Sequence, residues 1–584
     1  MKLISTCLII VVFFGEFFSI QGAIFHVENF GAYPNDDIDD VEAIQCAINK
    51  AIESGSNNTI IFDAGVYNIA TTLRVQNALN FTIKGQGMDE TYLIGTQPIR
   101  IFFIQYSYDV LITSLSIDFD PLPFTAGYIV QVTDEYLDIE IQPPHHANIG
   151  QQILYMVRFD PEHMRIAFAS QSYGIFQNLQ ENTSTTSLVS ENVLRLPLVS
   201  PTEFLVGDAI IARYSHPNDA IFAYNSTDLT IHSLILYTSW SMGLVTQRIR
   251  RLNIINFHVL PRQQRWFSTS SDCMHLVSSQ EFVNIIDSKC QMQGDDGANI
   301  LTCYTVVSGI VNSTAIYVTT LYGTSPYAEA GCHVEFSSPQ QPFTVQSSGL
   351  IQSVRYVNAT TNLLIFTEPI NVSINDWVIN SDTPALTVRN FTVERNRARG
   401  IVLETRNIDV RDCVFNQTSA PAILIQPSLY WYEGPPARNI TLANNLYINC
   451  NEGIGRMSGT IAIYPMPIQK VPVIDDILIE SSTFHLGNFV TSILQSENAN
   501  NLLLTGNYIS VNTSLPLIYI CNSRNITASN NTVVNLQSKP KKYKYYNFEQ
   551  HDVCQKKLSS LIDLPNSAFN SSFLPPVAIQ SNDI

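Results

Sequence analysis

Positive charge is scarce in this sequence: 32 lysines and arginines stand against 50 aspartates and glutamates, for a net charge of -18 and a pI near 5.0. An average field of that sign repels polyanions, which excludes nucleic acid and anionic membranes as general partners. Long apolar runs are missing too. Beyond residue 22 nothing approaches the ~18 uninterrupted apolar residues of a membrane helix, and Pro575 to Ile584 lack the hydrophobic tail of a lipid-anchor signal. Cysteine is sparse, ten in 584 residues, and its spacing matches no zinc site. Setting Cys7 aside with the leader leaves nine of the ten, an odd number. Cys290–Cys303, Cys413–Cys450 and Cys521–Cys554 are candidate bridges, with buried thiols as the alternative.

What is present supports a large core, since 45% of the residues are hydrophobic. Residues 1–22 begin with Lys2, run through the apolar Leu8 to Phe14 and end near Gln21-Gly22-Ala23, the pattern of a secretory signal peptide; an uncleaved anchor is the alternative. Acceptor triplets for N-glycans at Asn80, Asn182, Asn225, Asn312, Asn390, Asn416, Asn439, Asn512 and Asn525 agree with it. A secreted or lumenal protein is expected, with no membrane attachment after cleavage.

Residues 23–123 open with an amphipathic helix at Val41–Ile48, a cap for the β-structure that follows. Short β-branched runs bounded by Gly and Asn come next. They form an internal repeat: Leu229 in Ser226–Ile231 recurs as Leu252 after 23 residues, and Leu502 as Ile526 after 24. Other copies are Glu281–Ile285, Asn390–Val393, Asn407–Val410, Asn439–Leu442 and Asp476–Ile479. Such a unit cannot bury its own apolar face, so copies must stack. The expected fold is all-β, a right-handed parallel β-helix, with Asn in left-handed corner positions. Residues 124–217 and 304–382 break the repeat and read as inserted small β-barrel modules. Coils fill 218–303 and 383–537, and 538–584 is a tail. Its basic, aromatic run Lys539–Tyr546 is read as a solvated exit from the last coil, or else an anion-binding patch.

The chemistry gathers around Ser271 to Ile300. Asp272 precedes Asp295 and Asp296 by 23 and 24 residues, one coil, so the three carboxylates meet on neighbouring rungs about 4.8 Å apart. Their repulsion raises one pKa and leaves another ionised, the division of labour a glycosidase needs. A calcium site and an aspartate ladder at turns are the alternatives. Downstream, Arg395-Asn396-Arg397-Ala398-Arg399-Gly400 offers cations to hold sugar hydroxyls or carboxylates, and Trp431 offers a stacking face, or plain core.

These residues carry a resemblance. Asp118-Phe119-Asp120-Pro121-Leu122-Pro123-Phe124-Thr125, the Asp272 segment, Gly294-Asp295-Asp296-Gly297 with Asn299, Asn396–Gly400 and Trp431-Tyr432-Glu433-Gly434 stand in one order across most of the chain. In this the chain resembles glycoside hydrolase family 110, the α-1,3-galactosidases with a β-helix and inserted β-barrels. The resemblance implies an inverting exo-glycosidase acting on terminal α-linked galactose of an oligosaccharide or glycoconjugate, without cofactor. Asp272, Asp295 and Asp296 would be catalytic; Asn299, Arg397, Arg399, Trp431 and Glu433 would bind substrate. With the further likeness to polygalacturonases, Asp295 would be the general acid and Asp272 and Asp296 would hold water. The sequence departs from the family at Leu301, where a histidine is usual, and at Glu433-Gly434, where Glu-Ser-Gly is usual. A calcium-dependent lyase or epimerase and an inactive carbohydrate-binding surface protein remain as other readings.

Overall fold

The computed structural model describes residues 22–550, apart from 168–174, 177–183, 199–203, 215–217, 322–327, 454–458, 488–491, 513–517 and 536–543; for Ile175–Phe176 and Lys544–Gln550 the backbone alone is described. The leader, Cys554 and most of the basic run at Lys539–Tyr546 lie outside these residues.

The chain winds as a parallel β-helix. One apolar ladder passes through Leu229, Leu252, Val283, Leu386, Ile408, Ile440, Ile477, Leu502 and Ile526, each paired in parallel with the next. All of these residues are buried. The polar residues just before them take the left-handed conformation, with φ of 57° at Asn407, 56° at Asn439, 58° at Asp476, 55° at Asn501 and 53° at Asn525. Asn reaches that region at little cost because its short side chain finds local partners. Here the partner is the next coil: Asn439 donates to Asn407 at 3.0 Å, Asn501 to Asp476 at 2.9 Å and Asn525 to Asn501 at 3.0 Å.

One expected copy falls elsewhere in the coil. Leu386, not Phe391, continues the ladder, and Thr392–Glu394 pairs instead with Lys289–Gln291 and Val414–Asn416. Asn390 is also left-handed, at φ 48°, so a second corner of the coil carries the same polar-then-apolar signature. Aromatic rings fill the interior at this corner, Phe415 on Tyr447 at 5.4 Å and Tyr447 on Phe484 at 4.6 Å.

Both ends of the coil stack are covered. The helix Val41–Glu53 turns Ile44, Ala47, Ile48 and Ala51 into the same core as the first coils. At the other end Lys544–Gln550 lies antiparallel to Arg524–Asn535, against the parallel order of every preceding coil strand in that sheet.

Two modules interrupt the coils. The second, Thr305–Asn380, is a closed six-stranded barrel around Val307, Ile316, Val318, Val334 and Phe336. The first differs from expectation: among its described residues Phe124–Tyr214 forms an eight-stranded antiparallel sheet whose strand order does not close into a barrel. Tyr155, Val157 and Ile211 are buried against Trp266, Phe267 and Met292 of the coils, and the alternating Met156, Ile210 and Ala212 are buried as well. Trp266, from the coils, stacks on Phe159 with ring centroids 4.9 Å apart, and its backbone N–H donates to His145 Nε2 at 3.2 Å.

The cysteines also pair differently. Cys273 and Cys290 form a disulfide across the coil interior, with Cα atoms 6.1 Å apart. Cys303, Cys413 and Cys450 are free thiols, so the expected Cys290–Cys303 and Cys413–Cys450 bridges do not form. The Cys413 and Cys450 thiols instead donate to the backbone carbonyls of Arg411 and Phe415. Spacing alone does not reveal which cysteines face inward across one coil.

Candidate active site

One sheet of eleven parallel strands, joined by the short antiparallel strand Glu433–Gly434, carries the site on its outer face. Its strands Met274–Val277, Ala298–Cys303 and Ile401–Leu403 pair in register, Met274 with Ala298 and Ala298 with Ile401. Counting back two residues on each strand places Asp272, Asp296 and Arg399 on consecutive rungs. The bonds agree: the Asp296 N–H donates to Asp272 Oδ1 at 3.3 Å, and the Arg399 N–H to Asp296 Oδ1 at 3.0 Å. The Arg399 guanidinium adds a bond to Asp296 Oδ2 at 2.6 Å. Gly294 stands where a Cβ would fall 2.1 Å from the Ser270 carbonyl oxygen, so only glycine lets the Asp295–Asp296 turn lie this close to the preceding rung.

Asp272, Asp295 and Asp296 each offer a carboxylate oxygen, and these oxygens lie within 4.8 Å of one another. Asp272 and Asp296 are buried, while Asp295 is half-exposed. Arg397 binds Asp295 Oδ2 at 2.7 Å, and Asp295 Oδ1 has no hydrogen-bond partner among the described residues. Asn396 secures the turn by donating to the backbone carbonyls of Asp295 and Arg399 at 2.9 and 2.8 Å. Burial pushes the Asp296 carboxyl up to about 8, with the Asp295 and Asp272 charges adding to it and Arg399 opposing. The trio therefore retains a proton at neutral pH. The same three oxygens are close enough to hold a cation.

The other expected residues divide. Asn299 is buried on the same outer face, with Oδ1 unpartnered among the described residues. Glu433 pairs into the site through Cys303, and burial raises its carboxyl to about 7 against the pull of His275 and Arg399. Trp431 is half-buried and packs edge-on against Tyr430, at 4.9 Å. Leu301 is buried and pairs with Val277.

Several residues at the site escaped the sequence reading. His275 lies between Val245 and Asn299 on the outer face, and its Nδ1 is 2.9 Å from Asp272 Oδ2. Burial lowers its pKa, but the hydrogen bond and charge of Asp272, with Glu433 and Asp219, overcome this and lift it to about 9. The inserted sheet brings Tyr155 and Arg213. The Tyr155 hydroxyl accepts from Arg397 Nε at 3.0 Å, with the Arg397 guanidinium 4.8 Å from its ring centroid. Arg213 is buried with its guanidinium 5.8 Å from the same ring centroid, where burial pulls it down to about 10 and the Asp295 carboxylate supports its charge. Glu404, one rung beyond Leu301, is buried with its carboxyl raised by burial and by Glu433. His275 stood inside the Asp272 segment, three residues on, and was open to discovery; Tyr155 and Arg213 carried no local signal.

No protein-family model matches the chain. It is similar to α-1,3-galactosidase B of Bacteroides thetaiotaomicron, 23% identical over 545 residues that cover 83% of this chain and 85% of that one. It is also similar to α-1,3-galactosidase A of Shewanella woodyi, 22% identical over 87% of this chain and 90% of that one. Among solved structures it shares 11% identity and a TM-score of 0.39 with a mannuronan C-5 epimerase A-module of Azotobacter vinelandii, over 85% of this chain and 98% of that one. By sequence, then, most of this chain is similar to curated galactosidases.

Proposed function

We propose that the chain is a secreted exo-glycosidase that hydrolyses terminal α-linked galactose, of the α-1,3-galactosidase kind. The carrying observation is the carboxylate trio, three acids within 4.8 Å bound by Arg397, Arg399 and His275, in a chain whose curated relatives are α-1,3-galactosidases. The test is release of galactose from α-1,3-linked galactosides, lost on replacing any of the three aspartates by Asn. The amino-terminal apolar run supports secretion, and the Cys273–Cys290 disulfide suits an oxidising compartment.

Asp295 serves as general acid, taking over the proton that burial keeps on its neighbour Asp296, which is thereby freed to act on water. It is the partly exposed member of the trio, and its buried Oδ1, without a hydrogen-bond partner among the described residues, is the oxygen left to bond a leaving group. Asp272 and Asp296 are each fixed by donors, and their oxygens lie close enough for two ~2.7 Å hydrogen bonds to one water to bridge them. An inverting pair ordinarily stands roughly 6.5–9.5 Å apart, and the closest oxygens here are nearer than that. Inversion accordingly rests on the water-holding role of Asp272 and Asp296, and β-galactose as the first product detected by NMR is the expected outcome; α-galactose would overturn it. Because the acid matters least for good leaving groups, Asp295→Asn should lose roughly 10²–10⁴-fold on natural galactosides and far less on a dinitrophenyl galactoside. Asp272→Asn and Asp296→Asn should lose on both.

One observation favours a second reading. The trio's spacing also suits a calcium ion, as a lyase or epimerase would require. Activity that survives a chelator removes that reading.

A further inference from the structure

Glu404 follows the strand Ile401–Leu403, and its N–H donates to the Ile300 carbonyl at 2.9 Å. That bond sets it beside Leu301 on the neighbouring rung. Leu403 points into the core, so Glu404 points to the outer face that carries the trio. It is 2% exposed, and its Oε2 has no hydrogen-bond partner among the described residues. Leu301, alongside, has no polar atom to give it. Two further buried polar atoms on this face, Asn299 Oδ1 and Gln426 Nε2, are likewise unpartnered among the described residues.

A buried polar atom left unmatched costs roughly 1–3 kcal/mol, and a concentration of them beside a reactive centre is explained by a ligand that completes them. We propose that Glu404 is a further substrate-binding residue, its Oε2 bonding a hydroxyl of the glycosyl group held at the trio. The inference rests on the hydrolase reading above. The ligand class it selects is a neutral sugar. A hydroxyl both donates and accepts, so it matches carboxyl, amide nitrogen and amide oxygen alike. Burial foremost, with Glu433 and Asp296 adding to it and Arg399 opposing, raises the Glu404 carboxyl well above the ordinary carboxylate range, which favours the neutral form that can donate as well as accept. The Cys303 thiol and Tyr304 hydroxyl, also near it, are themselves raised by burial and stay neutral.

The experiment is calorimetric titration of galactose and its monodeoxy analogues into the full chain, with kinetics on an aryl α-galactoside. Glu404→Leu should weaken galactose about tenfold and raise KM more than it lowers kcat, as expected for one lost hydrogen bond in a buried site. Glu404→Gln should recover most of that loss. One deoxy analogue should bind the native chain about tenfold more weakly than galactose, yet bind Glu404→Leu no worse than galactose does. Glu404→Ala gives the same comparison if Glu404→Leu does not fold. Unchanged galactose affinity in the variant, or native discrimination among all the analogues, overturns the inference alone. A native chain that neither binds galactose nor cleaves galactosides overturns the hydrolase reading instead.

Discussion

Asp272 is gripped from two sides, by the His275 ring and by the Asp296 N–H, and the grip has a pH signature. The His275 pKa rises on folding from 6.5 to about 9. A raised histidine contributes its full stability below the unfolded pKa and loses it as pH climbs through the folded one. The melting temperature should therefore fall between about pH 6.5 and 9, and His275→Gln should flatten that slope while costing at most about 3 kcal/mol at pH 6. A native slope that persists in the variant would show that another group is responsible. At this scale the sequence is legible where chemistry follows the coil period. Asp272, Asp296 and Arg399 line up because the strands that follow them are in register. Arg213 and Tyr155 follow no such rule, since their place depends on how a separate module docks.

Among the elements, the corner asparagines and the inserted sheet behave differently. Asn407, Asn439, Asn501 and Asn525 were readable as left-handed corners because an L-residue lacking a short, locally hydrogen-bonding side chain pays ~1–2 kcal/mol there. Replacing Asn439 by Ala should cost about that much in chemical denaturation, and by Gly less. Tyr447→Ala, which empties the middle of an aromatic stack, should cost about 3–5 kcal/mol. The Asn390 copy was misplaced because both corners of the coil use one signature, and register, not pattern, tells them apart. The inserted sheet was legible as β-structure but not as an open sheet, since alternation marks strands and says nothing of closure. It leans on a neutral histidine: burial lowers His145 to about 4, and its Nε2 accepts from the Trp266 N–H. Here the sign reverses. Stability is complete above about 6.5, the ordinary value, and is lost as pH falls toward about 4. Limited proteolysis should cut within Phe124–Tyr214 increasingly over that window, and less dependently on pH in His145→Gln.

For the whole molecule, the period of 23 to 24 residues was enough to name the architecture, because a single coil cannot bury its own apolar face. Handled near its pI of about 5.0 the protein should show its solubility minimum, since the self-repulsion of -18 charges vanishes there. The reversed direction of Lys544–Gln550 bears on a different hazard. A stack of parallel coils is a growing crystal in one dimension: each coil is a template for the next, whichever chain supplies it. A strand laid backwards is a poor template for another parallel coil, just as the helix Val41–Glu53 is at the other end. A chain ending before residue 544 would present Arg524–Asn535 as a fresh growth face. It should polymerise end to end, seen as light scattering that climbs with concentration, where the capped chain stays discrete.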